Sequence, residues 1–198
     1  MKIDVFKRTY DAPPVSEREI LRYAGGREID SSVEALLHTC LAEAEPQLCY
    51  QVCYRILEVT VTEDWCDFGL FSVESRMLAK NLIGCKRVLL FGATVGIGPD
   101  RLITRYGKIS PSKALMHQAI GAERIEALCD RFCMDYQAEN HVRLRPRFSP
   151  GYGDLPLDVQ KNIFSVLDLM RHIGVALNDS LLMSPTKSVT AFVGIDEE

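Results

Sequence analysis

A long helical pattern that follows a buried strand constrains the fold of this chain more than any other feature. Residues 87–93 form an almost continuous apolar run, which is typical of a buried strand. Ser110 and Pro111 then open a helix that we predict to continue to about Gln137, since Pro is well accepted at the first helical position. One face of this helix is apolar and consists of Leu115, Ala119, Ala122, Ile125, Cys129, Phe132 and Tyr136.

Shorter strands and helices are predicted before and after this strand and this long helix. Strands are predicted at residues 2–6, 55–62 and within 186–195. Further helices are predicted from the capping box at Ser16 to Gly25-Gly26, from Ser31 to just before Pro46, and at residues 72–82, 98–106 and 157–173. The elements do not alternate regularly as βαβ units. We therefore predict an α+β fold, with a mainly antiparallel twisted sheet and flanking helices.

The length and the absence of a linker favour a single domain. We expect one unit over residues 1–198, with an N-terminal helical part at about 1–50 and a C-terminal part at about 140–198 that carries a ligand loop. The chain has 23 Lys and Arg against 27 Asp and Glu, a net charge of −4. We therefore expect no nucleic-acid partner, because no excess of cations is present to neutralise phosphates.

The distribution of apolar residues predicts a cytoplasmic protein. No run approaches the roughly 20 apolar residues that span a bilayer, so no membrane contact is expected. The first residues lack the apolar core of a signal peptide. Without a secretion signal, the seven cysteines are expected to be reduced thiols and not a disulfide framework.

A glycine-rich turn at residues 92–98 follows the buried strand and precedes a predicted helix. It resembles the dinucleotide-binding turn of short-chain dehydrogenases, but a glycine-rich turn alone is a weak motif. No acidic residue ends a clear second strand about 20 residues later, as nucleotide-binding sheets require. The favoured interpretation is a strand-to-helix turn that needs backbone freedom, and a nicotinamide oxidoreductase is the least favoured function.

Two cysteine pairs, Cys49 with Cys53 and Cys129 with Cys133, have a spacing that can share a helix face. Together they could supply four thiolates to a zinc ion, although structural zinc sites usually space their ligands more tightly. Packing in the core is the favoured role, since Cys is among the most buried residue types. The four histidines are scattered, and the sequence supports no Ser-His-Asp or Cys-His arrangement.

The sequence Arg-Phe-Ser-Pro-Gly-Tyr-Gly at residues 147–153 is the strongest candidate for a ligand site. Arg147 can hold a carboxylate through its planar fork, and Gly151 allows a ligand to approach the backbone. From composition alone, a Pro-Gly turn held by an arginine salt bridge, with Tyr152 packed at its base, is an equally good interpretation.

These residues, followed by His-Ile-Gly-Val-Ala-Leu-Asn-Asp-Ser at 172–180, Met-Ser-Pro at 183–185 and Ser-Val-Thr at 188–190, resemble the S-adenosylmethionine-binding activation domain of cobalamin-dependent methionine synthase. The resemblance implies that Arg147 holds the ligand carboxylate and that backbone groups of Ser149 and Gly151 contact the ligand. It also implies that Tyr152 lies near the sulfonium and that Glu126 faces the site from the long helix. Ser149 stands where the synthase domain has Ala, and Phe148 where it has Pro.

In function, the resemblance implies a free-standing reactivation subunit that supports reductive methylation of cobalamin carried by a methionine synthase or a related corrinoid protein. S-adenosylmethionine would be its ligand, a flavodoxin-like protein the electron donor, and methyl transfer to cobalt would be its only chemistry, without a general base. Two alternatives stay open. One is a non-catalytic S-adenosylmethionine-binding or scaffold protein of another corrinoid system, and the other is a metal or redox protein based on the cysteines.

Overall fold

The computed structural model describes residues 4–25 and 30–196. Its strands, in chain order, are β1 (Phe6–Tyr10), β2 (Tyr50–Glu58), β3 (Thr60–Val61), β4 (Trp65–Asp67), β5 (Ser72–Glu74), β6 (Arg87–Thr94), β7 (Arg143–Leu144), β8 (Ala176–Leu177), β9 (Met183–Ser184) and β10 (Ser188–Asp196). Its α-helices are α1 (Glu17–Tyr23), α2 (Ser31–Ala44), α3 (Arg76–Leu82), α4 (Gly98–Tyr106), α5 (Pro111–Asn140), α6 (Val159–Leu167) and α7 (Leu169–Ile173).

A five-stranded sheet with the spatial order β1-β2-β6-β10-β7 forms the centre of the molecule. All of its pairings are antiparallel, and β6 pairs along its whole length with β2 on one side and β10 on the other. Two small antiparallel sheets, β3-β4-β5 and β8-β9, lie outside it. The prediction of an α+β fold with a mainly antiparallel sheet and flanking helices is confirmed.

Both faces of this sheet are covered, which explains the continuous apolar run in β6. Leu89 and Phe91 face α5, where they pack with Leu128 and Phe132. The alternate residues of the strand face the opposite way, into a cluster formed with α3, α6 and α7. Because successive side chains of a strand point to opposite faces, a strand covered on both sides has to be apolar at every position.

The helices α1, α2 and α4 pack against the N-terminal half of α5 and form a separate apolar cluster with it. Ile20 of α1, Leu37 of α2 and Leu102 of α4 meet Ile120 of α5 in this cluster. The long helix α5 therefore contacts the sheet with its C-terminal half, and α1, α2 and α4 with its N-terminal half. In residues 4–25 and 30–196, no helix combines the length and apolarity that a membrane crossing requires.

Several predicted elements are confirmed. The helix at residues 98–106 has its predicted bounds, the strand at 87–93 extends by one residue, and the long helix continues to Asn140. The Ser16 hydroxyl caps α1 by accepting from Glu19 N–H, as the capping box predicted. For α2, however, the capping side chain is Asp30, which accepts from the backbone of Ser32 and Val33.

Other bounds were wrong. Residues 72–82 do not form one helix, because residues 72–74 pair with β4 and Ser75 caps α3, which begins at Arg76. The helix predicted at 157–173 is divided into α6 and α7 by Asp168, whose φ of 45° is left-handed. The strand predicted at 55–62 is β2 followed by β3, and it begins earlier, at Tyr50.

The strand predicted at 2–6 is displaced to Phe6–Tyr10, where it pairs with β2. The first positions of that prediction, Lys2 and Ile3, lie outside the described residues, and so does Gly26 at the predicted end of α1. The last strand begins at Ser188, inside the predicted range 186–195.

Candidate functional site

The candidate ligand loop continues from the edge of the main sheet. After β7, the backbone of Phe148 exchanges two hydrogen bonds of 2.9 Å with Phe192 of β10, one in each direction. Phe148 is buried in the cluster that faces α6 and α7. Its neighbour Arg147 reaches the opposite side, towards α5, as the alternation of side chains along an extended segment requires.

Arg147 is held by two carboxylates of α5. Its Nη2 lies 2.6 Å from Oε2 of Glu126, and its Nη1 lies 2.5 Å from Oδ1 of Asp130. The two acids are four residues apart on the helix, so they share one face. Burial by itself lowers the pKa of Arg147, but the neighbouring Cys129 sulfur, Asp130 and Glu126 raise it by more, so the guanidinium is charged at neutral pH.

The turn that follows is closed by its own backbone. Gly151 has a φ of +85°, and its N–H donates to the carbonyl of Leu155 over 2.9 Å. The carbonyl of Ser149 accepts from Tyr152 N–H over 3.1 Å. The left-handed φ explains why this residue is a glycine, because residues with a side chain rarely adopt that backbone conformation. The N–H of Gly151 therefore serves the turn itself, and in this conformation it is not directed at a ligand.

Tyr152 lies on the outside of the turn with 66% of its surface exposed. Its ring meets the ring of Phe148 edge-on, with centroids 5.6 Å apart. In the part of the chain that the structure describes, no hydrogen bond or ion pair joins Ser149, Gly151 or Tyr152 to the Arg147 guanidinium. The structure thus brings Arg147 and Glu126 together and places the other three residues on the adjoining turn.

Two clefts meet at Asp130. One, of about 380 Å³, lies between α1 and α5 and is lined by Pro14, Ser16, Glu19, Tyr23, Glu123, Glu126, Ala127 and Asp130. The other, of about 490 Å³, lies between α5 and the segment 144–147, and Arg147 forms part of its wall. Four carboxylates and an aromatic ring line the first cleft. The carboxylates are paired with three arginines, Arg22, Arg124 and Arg147, so one negative charge is in excess and suits a cationic group. The Arg147 guanidinium stands next to this cleft and suits an anionic group.

A buried ion pair holds the first cleft in shape. Arg124 is 1% exposed and its guanidinium binds the adjacent Glu123 carboxylate twice, at 2.5 and 2.7 Å. The same guanidinium donates to the carbonyls of Pro13 and Pro14, each over 2.7 Å. Oε1 of Glu123 also accepts from Ser16 N–H over 3.0 Å. These bonds fix the segment before α1 against α5, so Glu19 and Tyr23 of α1 line the same cleft as Glu126.

A second contact anchors the far end of the ligand loop. The Asp154 carboxylate accepts from the backbone N–H groups of Arg76 and Met77 and from the hydroxyl of Ser75. The two backbone donors belong to the first turn of α3, where N–H groups lack partners within the helix, and Ser75 is the residue that caps it. The hydrogen bond from Ser75 and those from the backbone hold the pKa of Asp154 below its usual value. The ligand loop is therefore fixed at one end to β10 and at the other to α3.

The glycine-rich turn at 92–98 is used for close packing inside the chain. A Cβ at Gly92 would collide with the side chain of Leu169 in α7, and one at Gly98 would collide with the backbone of Gln47. Gly96 has a φ of +81°. The strand before this turn is central in an antiparallel sheet, whereas nucleotide-binding turns follow a strand of a parallel one. These contacts support the interpretation as a strand-to-helix turn.

The two cysteine pairs have different surroundings. Cys129 and Cys133 do share a helix, α5, but the helix proposed for Cys49 and Cys53 is wrong, since Cys53 lies in β2. Burial raises the pKa of the Cys53 thiol to about 12. Across residues 4–25 and 30–196, no three His, Cys, Asp or Glu side chains are grouped so that they could hold a metal ion.

The sequence patterns did not identify Asp130, Glu123 and Glu19 as site residues. A signal for the first two was present, because Glu123, Glu126 and Asp130 follow one another at helical spacings of three and four. Such a stripe is usually a solvated helix face, and only the position of Arg147 distinguishes it. Glu19 comes from a distant helix, and no local pattern associates it with α5.

The fold and this site together define an α+β domain with a covered antiparallel sheet and a candidate site where the sheet edge meets one long helix. A crystal structure described as the MetH reactivation domain bound to AdoHcy has this architecture. It matches with a TM-score of 0.70 and 13% sequence identity, over 99% of this chain and 80% of that chain. The chain therefore has the fold of that reactivation domain. No family model matches the chain, and neither does any curated protein at a significant level.

Proposed function

We propose that this chain binds S-adenosylmethionine and acts as the reactivation component of a cobalamin-dependent methionine synthase. The observation that carries the proposal is the position of Arg147, between an acidic cleft and a second cleft, on the fold of the MetH reactivation domain. The solved relative is described as bound to AdoHcy, which is the demethylated form of the proposed ligand. The resemblance of residues 147–190 to the activation domain points in the same direction.

The chemistry of the site fits the ligand. S-adenosylmethionine has a carboxylate, an ammonium group and a sulfonium. Arg147 would take the carboxylate, because its two terminal nitrogens can form a bidentate pair with it. Glu126 and Glu19 in the acidic cleft would favour the two cationic groups. Tyr152, with its exposed ring, would lie near the sulfonium, and the backbone of Ser149 would contact the ligand beside it.

In this proposal the residues of the chain bind and orient. The sulfonium already activates the methyl group, and a partner's cobalamin would supply reduced cobalt as the nucleophile. S-adenosylhomocysteine would leave as the S–CH3 bond breaks, so no side chain has to act as a base. Holding two reactants in line lowers the barrier by several kcal/mol. The partner would be a methionine synthase or a related corrinoid protein, with a flavodoxin-like protein returning the cobalt to its reduced state. The chain would then be one component of a methyltransferase.

Calorimetric titration of S-adenosylmethionine tests the binding site. We expect the wild type to bind and Arg147→Ala to lose at least about tenfold in affinity, because a charge-assisted bidentate pair is removed. Arg147→Lys keeps the charge without the fork and should be intermediate. Arg131→Ala is the matched control, since Arg131 is on α5 and pairs with Asp135 outside the site. A folded wild type that does not bind, or equal losses in both alanine variants, would contradict the assignment.

Methyl transfer tests the function beyond binding. S-adenosylmethionine with an isotopically labelled methyl group is mixed with the chain, a reductant and a methionine synthase that carries cobalamin. We expect the label to reach the cobalamin only when the chain is present, and more slowly with Arg147→Ala. Binding without transfer to any corrinoid partner would instead support a non-catalytic S-adenosylmethionine-binding protein.

A further inference from the structure

The Arg147 guanidinium, which has one positive charge, faces two carboxylates. Glu126 occupies Nη2 at 2.6 Å and Asp130 occupies Nη1 at 2.5 Å. A ligand carboxylate that binds the guanidinium in bidentate fashion needs two neighbouring N–H groups of the same fork. Each terminal nitrogen has a second N–H group, but the single positive charge of Arg147 already faces two acids, so a ligand carboxylate has to compete with them for it.

Exposure distinguishes the two acids. The Asp130 side chain is 66% exposed and that of Glu126 is 44% exposed, whereas Arg147 is only 25% exposed. Asp130 also belongs to the walls of both clefts. An exposed carboxylate that leaves an ion pair is solvated at once by water, so its release costs little. Asp130 is therefore the acid that exchanges more readily.

We propose that Asp130 sets the affinity of the site by competing with the ligand carboxylate for Nη1 of Arg147. Glu126 keeps Nη2 and the orientation of the guanidinium, while Asp130 turns into the solvent when a carboxylate binds. This inference rests on the proposed function, since it concerns how the same arginine takes its ligand. In this role Asp130 lowers the affinity by holding Arg147 and does not itself contact the bound ligand.

The expected direction is the opposite of what overall charge predicts. S-adenosylmethionine has a net positive charge, so removing a carboxylate from an acidic protein should weaken its binding slightly through the general field. Competition predicts that removing the Asp130 charge tightens it. Because an exposed ion pair contributes little, we expect a gain of about two- to fivefold.

The test is titration of S-adenosylmethionine into the wild type, Asp130→Asn and Asp135→Asn. Asp135→Asn removes the same charge from an arginine pair one turn further along α5 and serves as the control. We expect tighter binding in Asp130→Asn alone. Decarboxylated S-adenosylmethionine is the second probe. It has no carboxylate to compete, so Asp130→Asn should give no gain with it.

Unchanged or weaker binding of S-adenosylmethionine by Asp130→Asn, beside a wild type that binds, would overturn the competition and leave the proposed function standing. An equal gain with the decarboxylated probe would also overturn it, because the effect would then not depend on the carboxylate. Absence of binding in both the wild type and Asp130→Asn would overturn the proposed function and this inference together. Binding that appears only in Asp130→Asn supports both.

Discussion

Oδ2 of Asp154 accepts a hydrogen bond of 2.9 Å from the backbone N–H of Arg76, the first residue of α3. The two residues are 78 positions apart in the chain. The bond joins the end of the ligand loop to a helix start that has N–H groups to offer. Asp154 therefore acts on the loop as a capping residue acts on its own helix.

This contact predicts that Asp154→Ala loosens the ligand loop. We expect a lower denaturation midpoint and an affinity for S-adenosylmethionine weaker by about three- to tenfold, the range of one to two lost hydrogen bonds. Asp158→Ala is the control, because Asp158 precedes α6 without a capping bond from its side chain. Urea denaturation and titration measure the two effects. Identical behaviour of the two variants would show that Asp154 does not position the loop.

The left-handed conformation of Gly151 gives a second prediction. Gly151→Ala should cost about 1–2 kcal/mol in the free energy of unfolding, because a Cβ is strained at this φ. The added Cβ would also lie 3.2 Å from Cδ1 of Leu157. Gly84→Ala introduces the same kind of strain at a φ of +82° in open space. Both variants should be destabilised, but only Gly151→Ala should weaken ligand binding.

The buried ion pair of Glu123 and Arg124 gives a third prediction. Glu123→Gln should destabilise the fold by about 3–5 kcal/mol, because it leaves the Arg124 charge buried without its counter-charge. Glu19→Gln, which removes an exposed partner of Arg22, should leave the unfolding free energy almost unchanged. Denaturant unfolding at constant pH measures both. A similarly small effect for Glu123→Gln would mean that the pair does not anchor residues 13–16.

His117 predicts a pH dependence. Burial lowers its pKa, against the opposing effect of Glu43, 3.3 Å from Nε2, and in the same direction as the Lys113 charge. Its Nδ1 is buried without a hydrogen-bond partner. The unfolded state, with a His pKa of about 6.5, therefore takes up protons before the folded state does. The stability that neutral His117 contributes is complete above about pH 6.5 and declines as the pH falls below it.

The comparison with His117→Gln isolates this effect. Relative to that variant, the wild type should lose stability between pH 6.5 and pH 5, with no relative change above pH 7. His38→Gln is the control, because His38 is exposed on α2. A wild type that instead becomes relatively more stable on acidification would mean that the Glu43 carboxylate outweighs burial.

The sequence predicted those features that depend on local periodicity. The bounds of α4 and of β6 follow from apolar spacing, Gly and Pro within a few residues. The break at Asp168 could not be predicted in this way, because no Gly or Pro marks it. There the left-handed residue lets Leu169 pack against Gly92, a contact between distant parts of the chain.

In the candidate site, too, contacts between distant residues were not predictable from local patterns. Arg147 and Glu126 were associated through a resemblance, and the structure places them 2.6 Å apart. The role of each as a ligand contact stays a prediction. Asp154 could not be associated with α3, nor Glu123 with Ser16, because these partners are 78 and 107 positions apart and no local pattern records such distances.

The position of β10 has a consequence for the order of folding. This strand begins at Ser188, yet it lies between β6 and β7 in the sheet, and Phe192 holds the ligand loop. During synthesis, one edge of β6 therefore stays unpaired while about a hundred further residues are added. Pairing between strands so far apart in the chain is typically slow. A ribosome-bound chain halted before β10 would expose that edge to neighbouring chains. Strand β10 is thus the strand that joins the sheet to the candidate site.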